Sequence, residues 1–287
     1  MNPREQGFLL LTGQLGDPFR KPLTAAQFRQ LSLRARQMQP PLQDRELTAQ
    51  DLVAIGYDRR MAEHILMLLS QSDRLESYVQ NASRQDCFPI TRLTPAYPQH
   101  LRRRLKADSP SALWCKGDPA FLAMPGVCVV GSRELLPENR MFAREVGKQA
   151  ALQGFVLISG NARGADLVAQ ESCLDHGGKV ISVVADRLDK HPLQRNVLYL
   201  SEDGFDLGFS AQRALSRNRI IHCLGQKVFV VQTQLQKGGT WNGTSQNLKH
   251  RWSPVFCFDD HRPGTDALLA AGAGRITPDE LKDFSAL

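Results

Sequence analysis

The sequence predicts an α/β protein in which a Rossmann-like, mostly parallel sheet with helices on both faces follows a small all-helical domain. Before residue 86 apolar residues recur at helical spacing, and after residue 112 short runs of Val and Ile alternate with amphipathic stretches. The chain has 287 residues and is 42% hydrophobic, which is enough for one large or two ordinary domains with a real core. We therefore expect two domains with a linker between them.

Residues 1–85 are predicted to form the helical domain. Three stretches there follow a Thr or Asp that can cap a helix: LTAAQFRQLSLRARQM, LTAQDLVAIG and DRRMAEHILMLLSQSDRLESYVQNA. Gly56 separates two short helical patterns, which suits a helix-hairpin-helix-like or SAM-like turn that could receive DNA phosphates. An ordinary helical pair fits the same pattern, so both interpretations stay open.

Residues 86–112 are interpreted as a linker, because four prolines interrupt the segment and extended stretches flank a short basic helix. The basic cluster Arg102, Arg103, Arg104 and Lys106 is either a phosphate-binding patch or a solvated face.

Residues 113–276 are predicted to form the Rossmann-like domain, and residues 277–287 a C-terminal tail. Five apolar runs read as strands: GVCVVG, FVLISG, KVISVVA, KVFVVQ and SPVFCF. Between the first two lies NRMFAREVGKQAALQ, in which Phe142, Val146 and Ala150 share one helical face. Continuous apolar strands that alternate with helices indicate a parallel sheet covered on both sides.

The charge of the chain favours an acidic partner. The formal net charge is +7, and residues 1–107 carry most of the excess, with 16 Lys and Arg against 10 Asp and Glu. A sequence pI near 9.3 places nucleic acid ahead of membrane lipid as that partner.

Cysteine spacing and hydropathy give further expectations about metal sites, disulfides and location. The six cysteines show no paired short spacing, so we expect neither a metal site nor a disulfide scaffold, but buried thiols in a reducing compartment. No apolar run is long enough for a signal peptide or a membrane span, so we expect a cytoplasmic protein without a membrane partner.

The candidate site lies at the carboxyl ends of the predicted strands, where ligands bind in open parallel sheets. Glycine backbone donors cluster there with cationic side chains, which together describe a phosphate site. The candidate residues are Gly131, Ser132 and Arg133; Ser159, Gly160, Arg163, Gly164 and Asp166; Arg217, Asn218 and Arg219; and Lys237, Gly238 and Gly239.

Each candidate also has an ordinary structural interpretation. Gly-Ser-Arg is common turn chemistry, and Asp166 suits a helix cap or an acceptor for loop amides better than a catalytic base. One of Arg217 and Arg219 is expected to be an internal salt-bridge partner. For phosphate contact the first choices are Arg133, Arg163 and Arg219.

Several families of enzyme lack support in the sequence. There is no G-x-G-x-x-G for a dinucleotide redox cofactor, and no G-x-x-x-x-G-K-[ST] for a P-loop. The motifs H-E-x-x-H and Gly-x-Ser-x-Gly are also missing. We therefore expect a protein without a cofactor and without catalytic residues.

From Tyr97 to Ile276 the sequence resembles the DprA/Smf family of bacterial DNA-processing proteins. The resemblance rests on an ordered series of motifs: YPQHLRRRL, VVGSR, GFVLISGNARGAD, GGKVISVVADRLDK, LSED, RNRII and VFVV. It implies an extended Rossmann-like domain, a homodimer, binding of single-stranded DNA through its sugar-phosphate backbone, and loading of a RecA-type recombinase. The matched positions are the candidate residues above, with a poorer match at Lys237, Gly238 and Gly239.

The departures from the family pattern suggest a divergent, short member. Only eleven residues follow Ile276, so the winged-helix extension of many members is not expected here. The stretch GGTWNGTSQNLKHRWSPVF is unusual for the family, and VADRLDKHP lacks a glycine after its strand. These changes put recombinase loading in doubt, while anion binding at the sheet edge is compatible with all of them.

Two alternative functions stay open. One is a phosphoribohydrolase that cleaves the N-glycosidic bond of a nucleoside monophosphate, although KGGTWNGTSQN offers Gln246 and Asn247 where such enzymes need a carboxylate. The other is a sensor of a nucleotide-derived signal, for example in phage defence. A basic helical domain and linker favour a polymer over both.

Overall fold

The computed structural model describes residues 1–38 and 46–287; residues 39–45, which belong to the predicted helical domain, lie outside it. In this part of the chain the helices are α1 (Pro3–Thr12), α2 (Ala25–Ala35), α3 (Ala49–Ala54), α4 (Arg59–Leu69), α5 (Ser72–Ser83), α6 (Gln99–Leu105), α7 (Pro137–Leu152), α8 (Ala165–Asp175), α9 (Ala211–Leu224), α10 (Gly238–His250) and α11 (Pro263–Ala270). The strands are β1 (Cys87–Thr91), β2 (Ala112–Lys116), β3 (Gly126–Val130), β4 (Val156–Ser159), β5 (Lys179–Val183), β6 (Val197–Ser201), β7 (Lys227–Val230), β8 (Val255–Phe258) and β9 (Gly274–Ile276).

The described residues form one nine-stranded sheet with the order β1-β2-β6-β5-β4-β3-β7-β8-β9. From β6 to β9 neighbouring strands run parallel, and only β1 and β2 add antiparallel pairs at one end. Strand order reverses at β3, because β4 to β6 extend on one side of it and β7 to β9 on the other. The predicted α/β class with a mostly parallel sheet is confirmed.

Helices cover both faces of this sheet, as the apolar runs predict. Alternate residues of β3 show the division: Val129 packs in a cluster with Phe142 of α7, whereas Val130 packs in another with Ile221 of α9. Both clusters consist of buried side chains, so the central strands are apolar on each face. Because the helices cover the two faces, the ends of the strands are the part of the sheet left open to a ligand.

The first helices are capped and packed as the sequence predicts. The side chains of Thr24, Thr48 and Asp58 accept backbone N–H groups at the starts of α2, α3 and α4. Residues of α1 to α4 share a hydrophobic cluster of their own, with Leu52 and Leu68 fully buried. Helix α5 contacts the sheet, since the ring of Tyr78 packs edge-on against Trp114 of β2. The hydroxyl of Tyr78 also donates to Asp206 Oδ1, in the loop after β6, at 2.7 Å.

Two segments expected to lie outside the domains are integrated into the sheet or its core. The predicted linker contributes β1, which pairs with β2 at the edge of the sheet, where Pro89 is tolerated because edge strands need fewer N–H donors. The predicted C-terminal tail buries Leu281 and Phe284 completely. The division of the chain into domains therefore stays a prediction.

The cysteines are buried thiols, as their spacing predicts. All six cysteines are free and buried. In the described part of the chain, none of the helices combines the length and the hydropathy needed to span a bilayer.

Candidate nucleic-acid interface

The reversal of strand order at β3 brings three loops together at the carboxyl edge of the sheet. These loops follow β3, β4 and β7, which are neighbours because β4 and β7 both pair with β3. In open α/β sheets such a reversal leaves a crevice between diverging connections, where ligands bind. The prediction that the candidate residues lie together at the carboxyl ends of the strands therefore agrees with the observed topology.

One groove, here called the switch-point groove, lies between the loops after β3 and β7 and has a volume of about 600 Å³. Helices α9 and α10 form its other walls. The predicted site residues that line it are Gly131, Ser132, Arg133, Asp166, Arg217, Asn218, Lys237, Gly238 and Gly239.

A second groove, here called the β4-loop groove, lies beside the first and has a volume of about 460 Å³. It is lined by Gly160, Arg163 and Asp186, and it shares Arg133 and Arg217 with the switch-point groove. Because two cationic residues line both grooves, an anionic polymer could be held across the boundary between them.

Arg133 is the central exposed cation of this edge. No described carboxylate lies within 4.0 Å of its guanidinium. Arg163 forms an ion pair with Glu134 at 3.7 Å, and the two side chains are 75% and 91% exposed. Such a solvated pair contributes little energy, so Arg163 can exchange Glu134 for a phosphate.

Asp166 holds the loop after β4 in place. Its Oδ2 atom accepts the backbone N–H groups of Gly160 and Ala162, each at 3.1 Å. Burial raises the pKa of this carboxyl, while Arg217 and the two amides oppose the shift. The Asp166 carboxyl thus occupies the seat that the loop amides form and supports the loop from within.

Arg217 is a buried cation behind both grooves. Its side chain donates to the carbonyl of Val183 and lies against Gly160, where a Cβ would overlap the guanidinium. Burial lowers the pKa of Arg217, and the Asp166 carboxylate opposes that shift. An arginine stays protonated at neutral pH in any case, so the groove walls carry this positive charge.

Arg219 lies apart from the other candidates, which corrects its choice as a phosphate contact. It pairs with the buried carboxylate of Glu202 and donates to the carbonyl of Asp108. Residues two apart on a helix point about 200° apart, so Arg217 and Arg219 of α9 cannot serve one surface. The expectation that one arginine of this pair is an internal salt-bridge partner is confirmed for Arg219.

Ser159 and Gly164 shape the site without lining either groove. Ser159 is fully buried and accepts from Gln170 Nε2 at 2.5 Å, which ties α8 to β4. Gly164 has φ +91°, and its Cα packs against the carbonyls of Ser132 and Arg133. Only glycine accommodates both the positive φ and this close approach to the two carbonyls. The loops after β3 and β4 therefore contact each other directly.

Arg104, from the basic cluster of the predicted linker, also serves the fold. Its guanidinium donates to the carbonyls of Cys223 and Gly225 at the end of α9. This arginine therefore caps a helix C-terminus. Arg102 and Arg103 stay exposed beside it.

Four residues that line the grooves were not among the candidates predicted from the sequence. Phe209 and Leu215 are 62% and 49% exposed, and Phe209 lines both grooves. Thr233 and His222 lie at the buried floor of the switch-point groove. The spacing of Leu215, Asn218 and His222 along α9 is a helical signal that could have found three of the lining positions.

His222 is a neutral hydrogen-bonding group. Burial lowers the pKa of His222 to about 4. The Oδ1 atom of Asn247 accepts the N–H of Ser253, which leaves Nδ2 of Asn247 to donate to Nδ1 of His222 at 3.2 Å. The imidazole proton is therefore on Nε2.

The described ranges 1–38 and 46–287 hold no group of three or more His, Cys, Asp or Glu side chains arranged to bind a metal ion.

Comparison with known proteins identifies the family. The family model for DNA recombination-mediator protein A matches residues 89–285. The chain belongs to this family. The resemblance of the sequence motifs to DprA/Smf proteins is thereby confirmed. The curated DNA processing protein DprA of Streptococcus pneumoniae is 33% identical over 196 residues, which cover 62% of this chain and 68% of that protein.

Two solved structures extend the comparison. The X-ray structure of DNA processing protein A from Streptococcus pneumoniae has a TM-score of 0.69 at 23% identity and covers 90% of this chain and 96% of that one. DNA processing protein A from Helicobacter pylori, whose structure concerns its single-stranded DNA binding mode, has a TM-score of 0.58 at 25% identity and covers 68% of this chain and 94% of that one. The first shows a shared fold over most of the chain.

The chain spans between 49% and 68% of the length of the first four curated relatives. Activities of those whole proteins therefore apply to this chain only as proposals.

Proposed function

We propose that this chain binds single-stranded DNA by its sugar-phosphate backbone across the switch-point and β4-loop grooves. The observation that carries the proposal is the position of Arg133, an exposed cation that lines both grooves and has no described carboxylate within 4.0 Å of its guanidinium. The DNA-processing relatives, one of them with a structure that concerns its single-stranded DNA binding mode, support the same conclusion.

The arrangement explains how a single strand would be held. Arg133 and Arg163 can each contact a phosphate from the surface, and Arg217 adds charge from behind. Phe209 is an exposed ring at the boundary of the grooves, and such a ring can stack on any base. Backbone contacts and stacking depend little on sequence, so the binding should be sequence-tolerant and salt-sensitive.

The test is a titration of fluorescent dT20 with the double variant Arg133→Ala/Arg163→Ala. Removal of charged hydrogen bonds should weaken binding roughly 10-fold or more. The slope of log K against log[salt] should also become shallower by about 0.7 for each phosphate that the variant no longer neutralises.

The matched control is Arg195→Ala. Arg195 is exposed and precedes β6, so it lies at the opposite edge of the sheet. This variant should bind dT20 as the unaltered protein does. If a folded Arg133→Ala/Arg163→Ala protein keeps its affinity and its salt slope, the proposed interface is wrong.

We also propose that the grooves bind without breaking a glycosidic bond. Helix α10 contains no Asp or Glu, and its Asn247 is buried and engaged with His222 and Ser253. A phosphoribohydrolase needs a carboxylate to stabilise positive charge on the ribose, so these amides are poor substitutes. Incubation with nucleoside monophosphates should release no free base, and measurable release would overturn this part.

A second copy of the chain and a RecA-type recombinase are proposed as partners. The support is membership of a family described as recombination mediators, together with the sequence resemblance. Sedimentation at micromolar concentration should give a dimer; a monomer would remove that part of the proposal.

A further inference from the structure

A small cavity, here called the seam cavity, lies where the helical part of the chain meets the sheet. Its volume is about 240 Å³, and its walls come from the end of α1, the start of α2, the segment before β2 and the loop after β6. It shares no lining residue with the switch-point groove or the β4-loop groove. A ligand in the seam cavity would therefore be separate from a strand bound at those grooves.

Glu202 brings a buried carboxylate to the wall of this cavity. Its side chain is 7% exposed, and its Oε2 atom pairs with Arg219. The Oε1 atom is buried and has no hydrogen-bond partner among the described residues. Burial raises the pKa of Glu202, while Arg219 and the Ser216 hydroxyl oppose that shift. A buried acceptor left unpaired is costly, so Oε1 indicates a place where a donor from a ligand completes the bonding.

Other polar side chains of the cavity wall have already used their donors on the protein. Nε2 of Gln14 donates to two backbone carbonyls, each at 2.8 Å, so its Oε1 atom remains as an acceptor. The hydroxyls of Thr12 and Ser109 each donate to a backbone carbonyl, and Arg219 donates to Glu202 and to a carbonyl. The cavity therefore favours a ligand that supplies several N–H donors and a positive charge.

Two further features define the ligand. Asp108 is an exposed carboxylate of the cavity wall, and no described Lys, Arg or His nitrogen lies within 4.0 Å of it. Leu15 and Trp114 are buried and add apolar surface to the wall. Apolar walls with a buried carboxylate and an exposed one fit a hydrocarbon stem that carries an ammonium group at each end.

We propose that the seam cavity binds a short linear aliphatic diamine, with one ammonium group at Glu202 and Gln14 and the other at Asp108. The stem lies against Leu15 and Trp114. The volume of about 240 Å³ is below the range of about 300 to 1,000 Å³ for drug-sized ligands, so the diamine must be small. Because the walls come from the helical part and from the sheet, the bound diamine holds the two together. This inference goes beyond the proposed function and does not depend on it.

The first test is calorimetric titration of the full chain, without DNA, with putrescine and with butylamine. Putrescine is a four-carbon diamine, and butylamine lacks its second ammonium group. Putrescine should bind at one site and raise the melting temperature. Butylamine should bind roughly 3- to 5-fold more weakly, the value of one exposed ion pair. Equal affinity of the two amines, or no saturable binding of putrescine below about 10 mM, overturns the proposal.

The buried end is tested with Glu202→Gln, which keeps the size of the side chain and removes its charge. This variant should bind both amines roughly 10-fold more weakly or worse, because a charge-assisted hydrogen bond is lost. The matched control is Glu171→Gln, which alters an exposed carboxylate of α8 outside the cavity and should leave both affinities unchanged. Circular dichroism checks the folding of each variant. An unchanged affinity in a folded Glu202→Gln protein, or an equal loss in the control, overturns the proposal.

The exposed end is tested with Asp108→Asn, which should fold because the side chain is exposed. Putrescine affinity should fall roughly 3- to 5-fold, to the level of butylamine, whereas butylamine affinity should stay the same. Unchanged putrescine affinity in this variant overturns the proposal even if Glu202→Gln does not fold. The titrations of dT20 with Arg133→Ala/Arg163→Ala are separate measurements, so their outcome bears only on the proposed function.

Discussion

Two glycine-containing loops meet at the same edge of the sheet but use their backbone donors differently. After β4, the amides of Gly160 and Ala162 donate to Asp166, so the protein supplies its own acceptor. At the start of α10, no side chain caps the first turn. Similar composition therefore produces one loop that is satisfied internally and one that is available to a ligand.

The glycines themselves serve different needs in the two loops. Gly160 has ordinary backbone geometry and is required because the Arg217 guanidinium occupies the space of a side chain. Gly238 has open space around it and is required because its φ is +84°. The first glycine permits close packing and the second permits a backbone conformation, which is why substitutions should have different effects.

The largest expected effect is that of Gly160→Ala. The new methyl group must displace Arg217, which is buried and bonded to the carbonyl of Val183. Overpacking of this kind should lower the free energy of unfolding by about 3 kcal/mol in urea titrations. The control is Gly7→Ala in α1, where nothing lies within 4 Å and the protein should gain up to ~1 kcal/mol. Equal effects of the two substitutions would contradict the packing role.

The second-largest effect is the pH dependence that His222, in the floor of the switch-point groove, gives to the free energy of unfolding. Since the pKa of His222 is about 4 when folded and near 6.5 when unfolded, the unfolded chain binds a proton first as pH falls. The stability from this histidine is complete above pH 6.5 and is lost progressively down to about pH 4, which amounts to about 2 kcal/mol between pH 7 and 5.

The measurement is the free energy of unfolding at both pH values for the unaltered chain and for His222→Gln. The difference between pH 7 and 5 should be smaller in the variant by about 2 kcal/mol. An identical pH dependence in the two proteins would show that His222 is not a buried neutral group.

The smallest effect is expected for Gly238→Ala. Alanine at φ +84° should cost about 1 kcal/mol in the free energy of unfolding, because no neighbouring atom adds a clash. Urea titration measures it beside Gly160→Ala. A destabilisation as large as that of Gly160→Ala would mean that the start of α10 is as tightly packed as the β4 loop.

The fold could be predicted where the pattern was long and regular. The five apolar runs became β3, β4, β5, β7 and β8, and the alternating helices cover both faces. The strands β1, β2, β6 and β9 were not predicted, although most of them are as long as the predicted ones, because their sequences CFPIT, ALWCK, VLYLS and GRI contain no run of Val and Ile. β1 contains a proline that argued for a linker, and its edge position explains why the proline is compatible with a strand.

The candidate site could be predicted to the level of loops but not of side chains. The rule for carboxyl ends correctly brought together the turns after β3, β4 and β7. It could not say that Arg219 faces Glu202 or that Asp166 accepts loop amides, because those partners depend on how α8 and α9 are rotated against the sheet. Thr233 carried no local signal, since a buried floor is created only by packing, and His222 could have been found only through its helical spacing from Leu215 and Asn218.

The sequence by itself determined the α/β class, the edge of the sheet where glycines and cations collect, and the membership of a DNA-processing family. These follow from periodicity and from the order of motifs, which are properties of neighbours along the chain. The tertiary structure decided which donors and cations stay available. A hydrogen bond or ion pair depends on distance in space, and the partners to which Gly160, Arg217 and Arg219 donate come from other elements of the fold.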